Sequence, residues 1–204
     1  MRLYHDPRAP NPRRVRIFLA EKGLTDRVEL VEVSIAAHAN LRPEFLDKNP
    51  LGLVPVLELD DGRVLRESIA ICRYLEELHP EPSLFGADPW QRAQIEQWNR
   101  IAELEVLGPT AQVFRNSHAF WQGRLRQAPD FAEIMREHVQ TRLAWLDGEL
   151  STRPFIAGDH FTVADITLLC GIDFGKVSGM RLNDATPNLL RWHQAVSARP
   201  SAKA

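Results

Sequence analysis

The sequence predicts two domains of different class, an α/β domain with the element order βαβαββα followed by an all-α helical domain. Over residues 1–80, short extended segments alternate with helical ones. Over residues 81–89, prolines and a glycine interrupt the chain, and we interpret this stretch as a linker. Residues 90–204 carry apolar side chains at helical spacing, and extended segments largely disappear there.

The α/β domain is predicted to open with a strand, a helix and a second strand. Residues 2–4 form the candidate first strand, and Pro12 suits the first turn of a helix, where its missing N–H costs nothing. Gly23 is placed to cap the C-terminus of that helix. Residues 27–33 form the candidate second strand, and the helix between the two strands supplies enough chain for parallel pairing.

A short helix, a hairpin and a third helix are predicted to complete this domain. The short helix covers residues 43–48, and the hairpin strands cover residues 54–59 and 63–65. The turn between the strands contains Asp61-Gly62, and this pair tolerates the positive φ that a tight turn needs. Residues 68–79 have apolar side chains on one helical face and form the candidate third helix.

The second domain is predicted to be a bundle of long helices. Residues 90–120 have helical spacing, and Gly108-Pro109 predicts a kink within them. Thr162 and Asp165 have the spacing of a capping box and predict the start of a largely apolar, central helix. Two further helices are predicted, over residues 131–150 and 187–196.

Charge and the N-terminal sequence limit the partners that we expect. Twenty-five Lys and Arg residues against 27 Asp and Glu residues give a net charge of −2. This balance supplies no electrostatic footprint for nucleic acid or for an anionic membrane, so we expect neither partner. The N-terminal residues lack the apolar core of a secretory signal, and we expect a cytoplasmic location.

The cysteines and histidines predict no metal site. Cys72 and Cys170 lie far apart and in no CxxC pair, which excludes a disulfide framework and a cysteine-built zinc site. None of the seven histidines has the spacing of paired metal ligands.

Two dipeptides suggest a site for a small zwitterionic peptide. Pro55 stands near the start of a strand, and a cis Val54–Pro55 bond would turn the Val54 N–H and C=O outward, where an extended peptide can pair with them. Ser68 lies at the start of the third predicted helix, where a helix N-terminus and a hydroxyl favour a carboxylate. Glu67 adds a countercharge for an ammonium group.

These motifs, in this order and spacing, resemble those of the cytosolic glutathione transferases over essentially the whole chain. The resemblance implies a thioredoxin-like N-terminal domain, an appended all-α domain, a role in detoxification and a homodimer. The matching segments are Tyr4 with Pro12-Arg13-Arg14-Val15-Arg16-Ile17, Pro43-Glu44-Phe45-Leu46 with Asn49-Pro50 and Val54-Pro55-Val56-Leu57, Asp60-Asp61-Gly62 with Glu67-Ser68, and the Thr162–Asp165 capping box.

The resemblance also implies which residues bind glutathione. Val54, beside Pro55, takes the position that binds the cysteinyl backbone, and Glu67 with Ser68 takes the position that binds the γ-glutamyl end. The glycine carboxylate is expected to meet a polar side chain, and Asn40 falls at that position, with His38 as the alternative.

The sequence departs from the family where the thiolate is stabilised. A free thiol has a pKa near ~8.5, so a hydrogen-bond donor aimed at the sulfur is needed near neutral pH. The family commonly uses a Tyr, Ser or Cys just after the first strand. Here Ala9 falls near the serine position, and Tyr4 lies within the strand and is expected to point elsewhere.

Two alternatives remain for the missing donor. Asn11 offers a side-chain amide at the start of the first helix, whose dipole favours an anion, and some bacterial relatives that handle disulfides resemble this arrangement. Alternatively, the all-α domain holds a water molecule that activates glutathione, as in an atypical fungal and bacterial group. Arg115 and Asn116 stand where that group tends to carry histidines, and Asn116 is the candidate residue.

We therefore expect a glutathione transferase that adds the glutathione thiolate to a small hydrophobic electrophile. Phe114 and His118 are the expected residues of the second-substrate pocket. Two alternatives remain open. One is a glutathione-dependent disulfide reductase, peroxidase or dehalogenase, and the other is a non-catalytic module that binds glutathione.

Overall fold

The computed structural model describes all 204 residues and divides them into two compact units. Unit 1 comprises Met1–Ser83 together with Pro200–Ala204, and unit 2 comprises Leu84–Arg199. The sequence prediction had included residues 200–204 in the all-α domain, whereas the structure groups them with the first unit. Arg13 holds this tail by donating to the Ala202 carbonyl at 2.9 Å.

Unit 1 contains a four-stranded mixed sheet with the strand order β2-β1-β3-β4. β1 runs parallel to β2 and antiparallel to β3, which forms a hairpin with β4. The predicted order βαβαββα is confirmed. The strands are β1 Arg2–His5, β2 Glu29–Glu32, β3 Val56–Glu58 and β4 Val64–Arg66, and the helices are α1 Pro10–Glu21, α2 Pro43–Leu46 and α3 Ser68–Leu78.

The two faces of the sheet bury different side chains, because alternate residues of a strand point to opposite sides. Leu3 and Leu57 are paired in register and fully buried. Tyr4 and Val56, the next pair, belong to a separate buried cluster that also includes Val54. α1 and α3 pack against each other, and α3 also contacts β3 and β4.

The end of α1 confirms the predicted glycine cap. Gly23 has a φ of +64°, and the N–H of Leu24 reaches back to the carbonyl of Leu19 at 2.8 Å. A residue without Cβ adopts this left-handed conformation at little cost, so the chain can reverse here and lead into β2.

Unit 2 is all-helical, as predicted, but its first long helix is interrupted. A π-helical turn over residues 102–107 separates the first two helices, and the Gly108 N–H bonds to the Glu103 carbonyl five residues earlier. Pro109 has no N–H to donate, so the predicted kink takes the form of a π-turn just before it. The helices are α4 Pro89–Ile101, α5 Gly108–Ser117, α6 Pro129–Glu149, α7 Val163–Gly175 and α8 Pro187–Ser197.

α7 is the central helix of unit 2, and nearly all of its residues are buried. The predicted capping box is present, since Thr162 and Asp165 bond each other's backbone N–H groups. None of the helices has the length and apolar character that crossing a membrane requires.

Candidate functional site

The strand register brings three predicted site segments to one edge of the unit 1 sheet. Tyr4, the last but one residue of β1, pairs with Val56 at the start of β3, and Val56 pairs with Arg66 at the end of β4. The loop after β1, the residues before β3 and the residues after β4 therefore share this edge. The loop after β1 leads to Asn11 in the first turn of α1, Val54–Pro55 precede β3, and Glu67–Ser68 follow β4.

Val54 presents its backbone at this edge. The Val54–Pro55 bond is cis, as the sequence interpretation required. The Val54 side chain packs into the buried cluster with Tyr4 and Val56, and the residue is only 8% exposed. Its N–H and C=O make no hydrogen bond within the chain. Because buried backbone groups are almost always paired, these two groups are suited to a ligand that supplies a backbone of its own.

Glu67 and Ser68 form the start of α3. Glu67 has a φ of +68°, which is uncommon for a residue with a side chain and costs about 1–3 kcal/mol. Its exposed carboxylate makes no ion pair, and the hydroxyl of buried Ser68 makes no hydrogen bond. The helix start thus offers unpaired N–H groups, a hydroxyl and a carboxylate side by side, which matches a ligand end that carries both charges.

Asn40 is partly committed to the loop that precedes Val54. Its side-chain amide donates to the Gly52 carbonyl at 2.7 Å, and its carbonyl oxygen is buried without a partner. Gly52 has a φ of +63°, and a Cβ there would lie 3.0 Å from the Leu41 side chain. Asn40 therefore supports the approach to Val54, with one N–H left to donate. His38, the alternative, is exposed and has a φ of +56°.

Asn11 has an unpaired donor at the start of α1. Its side-chain carbonyl accepts from the buried Arg14 guanidinium at 3.0 Å, which leaves the side-chain NH₂ without a partner. Pro10 and Pro12 flank it and have no N–H, so Asn11 also carries the unpaired backbone N–H of this first turn. Both donors belong to the positive end of the helix dipole.

Tyr4 is excluded as a thiolate donor, as the sequence analysis expected. Its hydroxyl donates to Glu58 at 2.5 Å, and the Lys48 ammonium bonds the same carboxylate at 3.0 Å. The hydrogen bond from Tyr4, followed by the one from Lys48, lowers the pKa of Glu58. This group stays charged and keeps the Tyr4 hydroxyl occupied on its own face of the sheet.

Sequence reasoning missed two residues that shape the site. Asp6 is buried, and its carboxylate accepts from the Arg8 and Ile35 N–H groups at 2.9 Å each, which ties the loops after β1 and β2 together. Arg14 orients the Asn11 side chain. The sequence contained a signal for each residue. Asp6 stands two residues before Arg8, the spacing of an Asx-turn. Arg14 stands three residues after Asn11, and side chains at that spacing are neighbours on a helix.

Asn116 lies in unit 2, where its side chain is fully engaged. Its NH₂ donates to the backbone carbonyl and the side-chain oxygen of Gln112, at 3.0 and 3.3 Å. Its carbonyl oxygen accepts from the Ala128 N–H at 3.1 Å. The bond from Ala128 joins the end of α5 to the residue that precedes α6.

Phe114 and His118 also lie in unit 2 and belong to an aromatic cluster. The ring of Phe114 lies 4.7 Å from that of His118 and 5.0 Å from that of Phe174. The His118 Nδ1 accepts from the Phe120 N–H at 3.1 Å. No group of three or more His, Cys, Asp or Glu side chains gathers into a metal-binding cluster anywhere in the structure.

Both units match models of one family. Residues 9–78 match the glutathione S-transferase N-terminal domain, and residues 127–200 match the glutathione S-transferase C-terminal domain. The chain therefore belongs to the glutathione S-transferase family.

Individual relatives point the same way. Glutathione S-transferase 2 of Saccharomyces cerevisiae is 35% identical over 205 residues, which cover 100% of this chain and 88% of that protein. The crystal structure of Gtt2 from the same yeast has a TM-score of 0.94 and covers 100% of this chain and 99% of that one. A glutathione S-transferase domain-containing protein of Marinobacter aquaeolei has a TM-score of 0.93 at 38% identity, covering 98% and 99%.

A relative with a different name shares the same region. Human elongation factor 1-gamma is 33% identical over 168 residues, which cover 81% of this chain but only 36% of that protein. A fold of this kind therefore serves in proteins that are not named for transferase activity, and the activity must be argued from the site.

Proposed function

We propose that the protein conjugates the glutathione thiolate to small hydrophobic electrophiles, with glutathione bound at the sheet edge of unit 1. The observation that most supports this proposal is that two sets of polar groups without hydrogen-bond partners lie at the same edge of the sheet. Val54 offers a backbone N–H and C=O without partners, and the start of α3 offers Glu67 and Ser68. An extended peptide with a charged head complements both.

The binding roles follow from these groups. Val54, next to cis Pro55, pairs with the cysteinyl backbone of glutathione. Ser68 and the first N–H groups of α3 hold the γ-glutamyl carboxylate, while Glu67 pairs with the ammonium. The remaining N–H of Asn40 donates to the glycine carboxylate.

For the thiolate, the geometry favours Asn11 over a water held by Asn116. Asn11 has an unpaired NH₂ and an unpaired backbone N–H, whereas the side chain of Asn116 is already bonded on both sides. A donor aimed at the sulfur stabilises the anion, so the thiol releases its proton to solvent. The sulfur then forms a bond to the electrophilic carbon, and the leaving group departs with its electron pair.

The remaining parts of the proposal rest on the family and on unit 2. The aromatic cluster around Phe114 and His118 offers an apolar surface for the second substrate. A homodimer is proposed from the family alone. A cytoplasmic location, where thiols are kept reduced, fits a reaction that consumes reduced glutathione.

The Asn11→Ala variant tests the thiolate assignment. We expect the pKa of bound glutathione to rise by about one to two units, because a hydrogen bond to the charged form is lost. The measurement is the pH dependence of thiolate absorbance in the binary complex, together with kcat/KM for an aryl halide.

The Asn116→Ala variant is the matched control, since it removes the same amide from unit 2. It is expected to leave the thiol pKa unchanged. A shifted pKa in Asn116→Ala with an unchanged one in Asn11→Ala would instead support activation through a water molecule.

A non-catalytic glutathione-binding module is the second candidate, and the lack of a Tyr, Ser or Cys in the loop after β1 favours it. Retention on immobilised glutathione without turnover of an aryl halide or of a glutathione mixed disulfide would support it. Turnover of the mixed disulfide alone would support the reductase alternative, with which Asn11 is also compatible.

A further inference from the structure

Arg14 places a permanent positive charge beneath the exposed start of α1. Its side chain is only 2% exposed, whereas Asn11, one turn earlier on the same helix, is exposed. A guanidinium remains protonated throughout the pH range in which proteins are folded. Arginine side chains are seldom buried to this extent, because removing the charge from water is costly. A charge that is buried at this cost is a candidate for a role in the function of the site.

The contact between these two side chains determines which end of the Asn11 amide faces outward. The Arg14 Nη2 donates to the Asn11 Oδ1 at 3.0 Å. An arginine side chain can only donate, so the amide turns its oxygen toward Arg14 and its NH₂ away from it. In the opposite orientation the oxygen would face the proposed position of the sulfur and would repel a thiolate. Arg14 thus selects the donor end of the Asn11 amide for the ligand.

The start of α1 offers few other donors to an anion. The first N–H groups of a helix normally lack partners within the helix and are available to a ligand. In α1, Pro10 and Pro12 have no N–H to offer. The Arg13 N–H is bonded to the Ala9 carbonyl at 3.3 Å. The backbone N–H and the side-chain NH₂ of Asn11 remain, so the orientation of this one side chain decides how many donors reach the sulfur.

The charge of Arg14 also strengthens Asn11 as a donor. A hydrogen bond from a charged group to the amide oxygen polarises the amide, and its N–H groups then bond a neighbouring anion more strongly. At a buried position, where the dielectric constant is low, the positive charge itself also favours the ionised form of a nearby thiol. Both effects act in the same direction as the dipole of α1.

We propose that Arg14 is a positioning residue of the conjugation reaction, which turns the Asn11 NH₂ toward the bound thiol and stabilises the thiolate through it. Because Arg14 is buried, it acts through Asn11 and does not touch glutathione. The inference rests on the proposed function, and in particular on Asn11 as the donor to the thiolate. The proposed binding groups at Val54 and Glu67 do not depend on it.

The Arg14→Met variant removes the charge and the donor while keeping an unbranched side chain. We expect the pKa of bound glutathione to rise by about one to two pH units, as in Asn11→Ala. The double variant should show no further rise, because the two side chains act as a unit. The measurement is the pH dependence of thiolate absorbance in the binary complex. The affinity for S-methylglutathione, which has no thiol to ionise, should stay within about twofold of the wild-type value.

Two further variants separate the charge from the hydrogen bond. Arg14→Gln keeps a donor without the charge, and Arg14→Lys keeps both. We expect the thiol pKa to be lowest in Arg14→Lys, intermediate in Arg14→Gln and highest in Arg14→Met. Urea denaturation shows which variants fold. If Arg14→Met does not fold, a thiol pKa in Arg14→Gln that is no higher than in Arg14→Lys overturns the proposal.

The matched control is Arg13→Met, which removes the neighbouring arginine of α1. Arg13 donates to the Ala202 carbonyl at 2.9 Å, so its loss should perturb α1 without turning Asn11, and the thiol pKa should change by less than about 0.3 pH units. An equal rise in Arg13→Met and Arg14→Met would overturn the proposal. A raised pKa in Asn11→Ala with a wild-type pKa in Arg14→Met would overturn this inference alone. Wild-type values in both would overturn the assignment of Asn11 as well, and retention on immobilised glutathione reports separately on binding.

Discussion

Two helix starts in this protein use the same kinds of side chain in opposite ways. Thr162 is the N-cap of α7, with Asp165 in the first turn, and Glu67 is the N-cap of α3, which begins at Ser68. At α7 both side chains are occupied, since the buried Asp165 carboxylate accepts from the Ile156 N–H, the Thr162 N–H and hydroxyl, and the Trp192 ring N–H.

At α3 the carboxylate and the hydroxyl have no partner within the chain. A polar residue before a helix is thus not enough to distinguish a folding signal from a binding site. The distinction is whether the chain itself satisfies the groups. A saturated helix start stabilises the fold, and an unsaturated one is available to a ligand.

The largest effect is expected from Asp165→Ala at the saturated start. The substitution leaves several buried donors without an acceptor, at about 1–3 kcal/mol each, so we expect a loss of roughly 3–5 kcal/mol in the free energy of unfolding. Urea denaturation measures it. A decrease of less than about 1 kcal/mol in the free energy of unfolding would contradict the comparison. It would mean that the hydrogen bonds of Asp165 contribute little to the stability of α7.

An intermediate effect is expected from Glu67→Ala at the unsaturated start. We expect glutathione affinity to fall about tenfold or more, because the ammonium loses a charged partner. The unfolding free energy should change by less than about 0.5 kcal/mol, since Glu67 makes no contact that would be lost. Calorimetry with glutathione and urea denaturation of the same variant give both values, and unchanged affinity would refute the assignment.

The smallest effect concerns His5, at the end of β1. Burial, followed by the nearby Arg16 charge, lowers the pKa of His5. Arg16 can only donate, so the His5 Nδ1, 2.9 Å away, acts as acceptor in a neutral ring. A folded pKa below the unfolded value of about 6.5 means that stability is present above pH 6.5 and is lost as pH falls below it.

A His5→Gln variant should therefore lose less stability than the wild type between pH 7 and 5, by less than about 1 kcal/mol. Urea denaturation at several pH values measures the difference. The same slope in both proteins would show that other groups cause the pH dependence.

The order of helices and strands, and the chain segments that form the unit 1 site, could be predicted from the sequence. The residues that indicate them are close neighbours in the chain. Gly23, the Asp61-Gly62 turn and the Thr162–Asp165 box each fix a turn or a helix end from neighbouring residues alone. Pro55 likewise indicated, from its position near the start of a strand, that the Val54 N–H and C=O are available to a ligand.

The features that the sequence did not predict depend on residues distant in the chain. The run Arg13, Arg14 and Arg16 carries no local signal of the groups that it contacts. Arg14 is buried and holds Asn11, while Arg13 and Arg16 bond carbonyls of the tail at Ala202 and Ala204. Helical periodicity cannot reveal an acceptor that lies nearly the whole chain away.

The tail that docks on α1 has a consequence for how the protein is made. Unit 1 is discontinuous, because the chain leaves it at Ser83 and returns at Pro200. During synthesis the N-terminal residues emerge first, but the acceptors for Arg13 and Arg16 leave the ribosome only after all of unit 2. The helix that carries Asn11 therefore gains these contacts only after unit 2 has been synthesised, and a nascent chain stalled before residue 200 holds that helix without them.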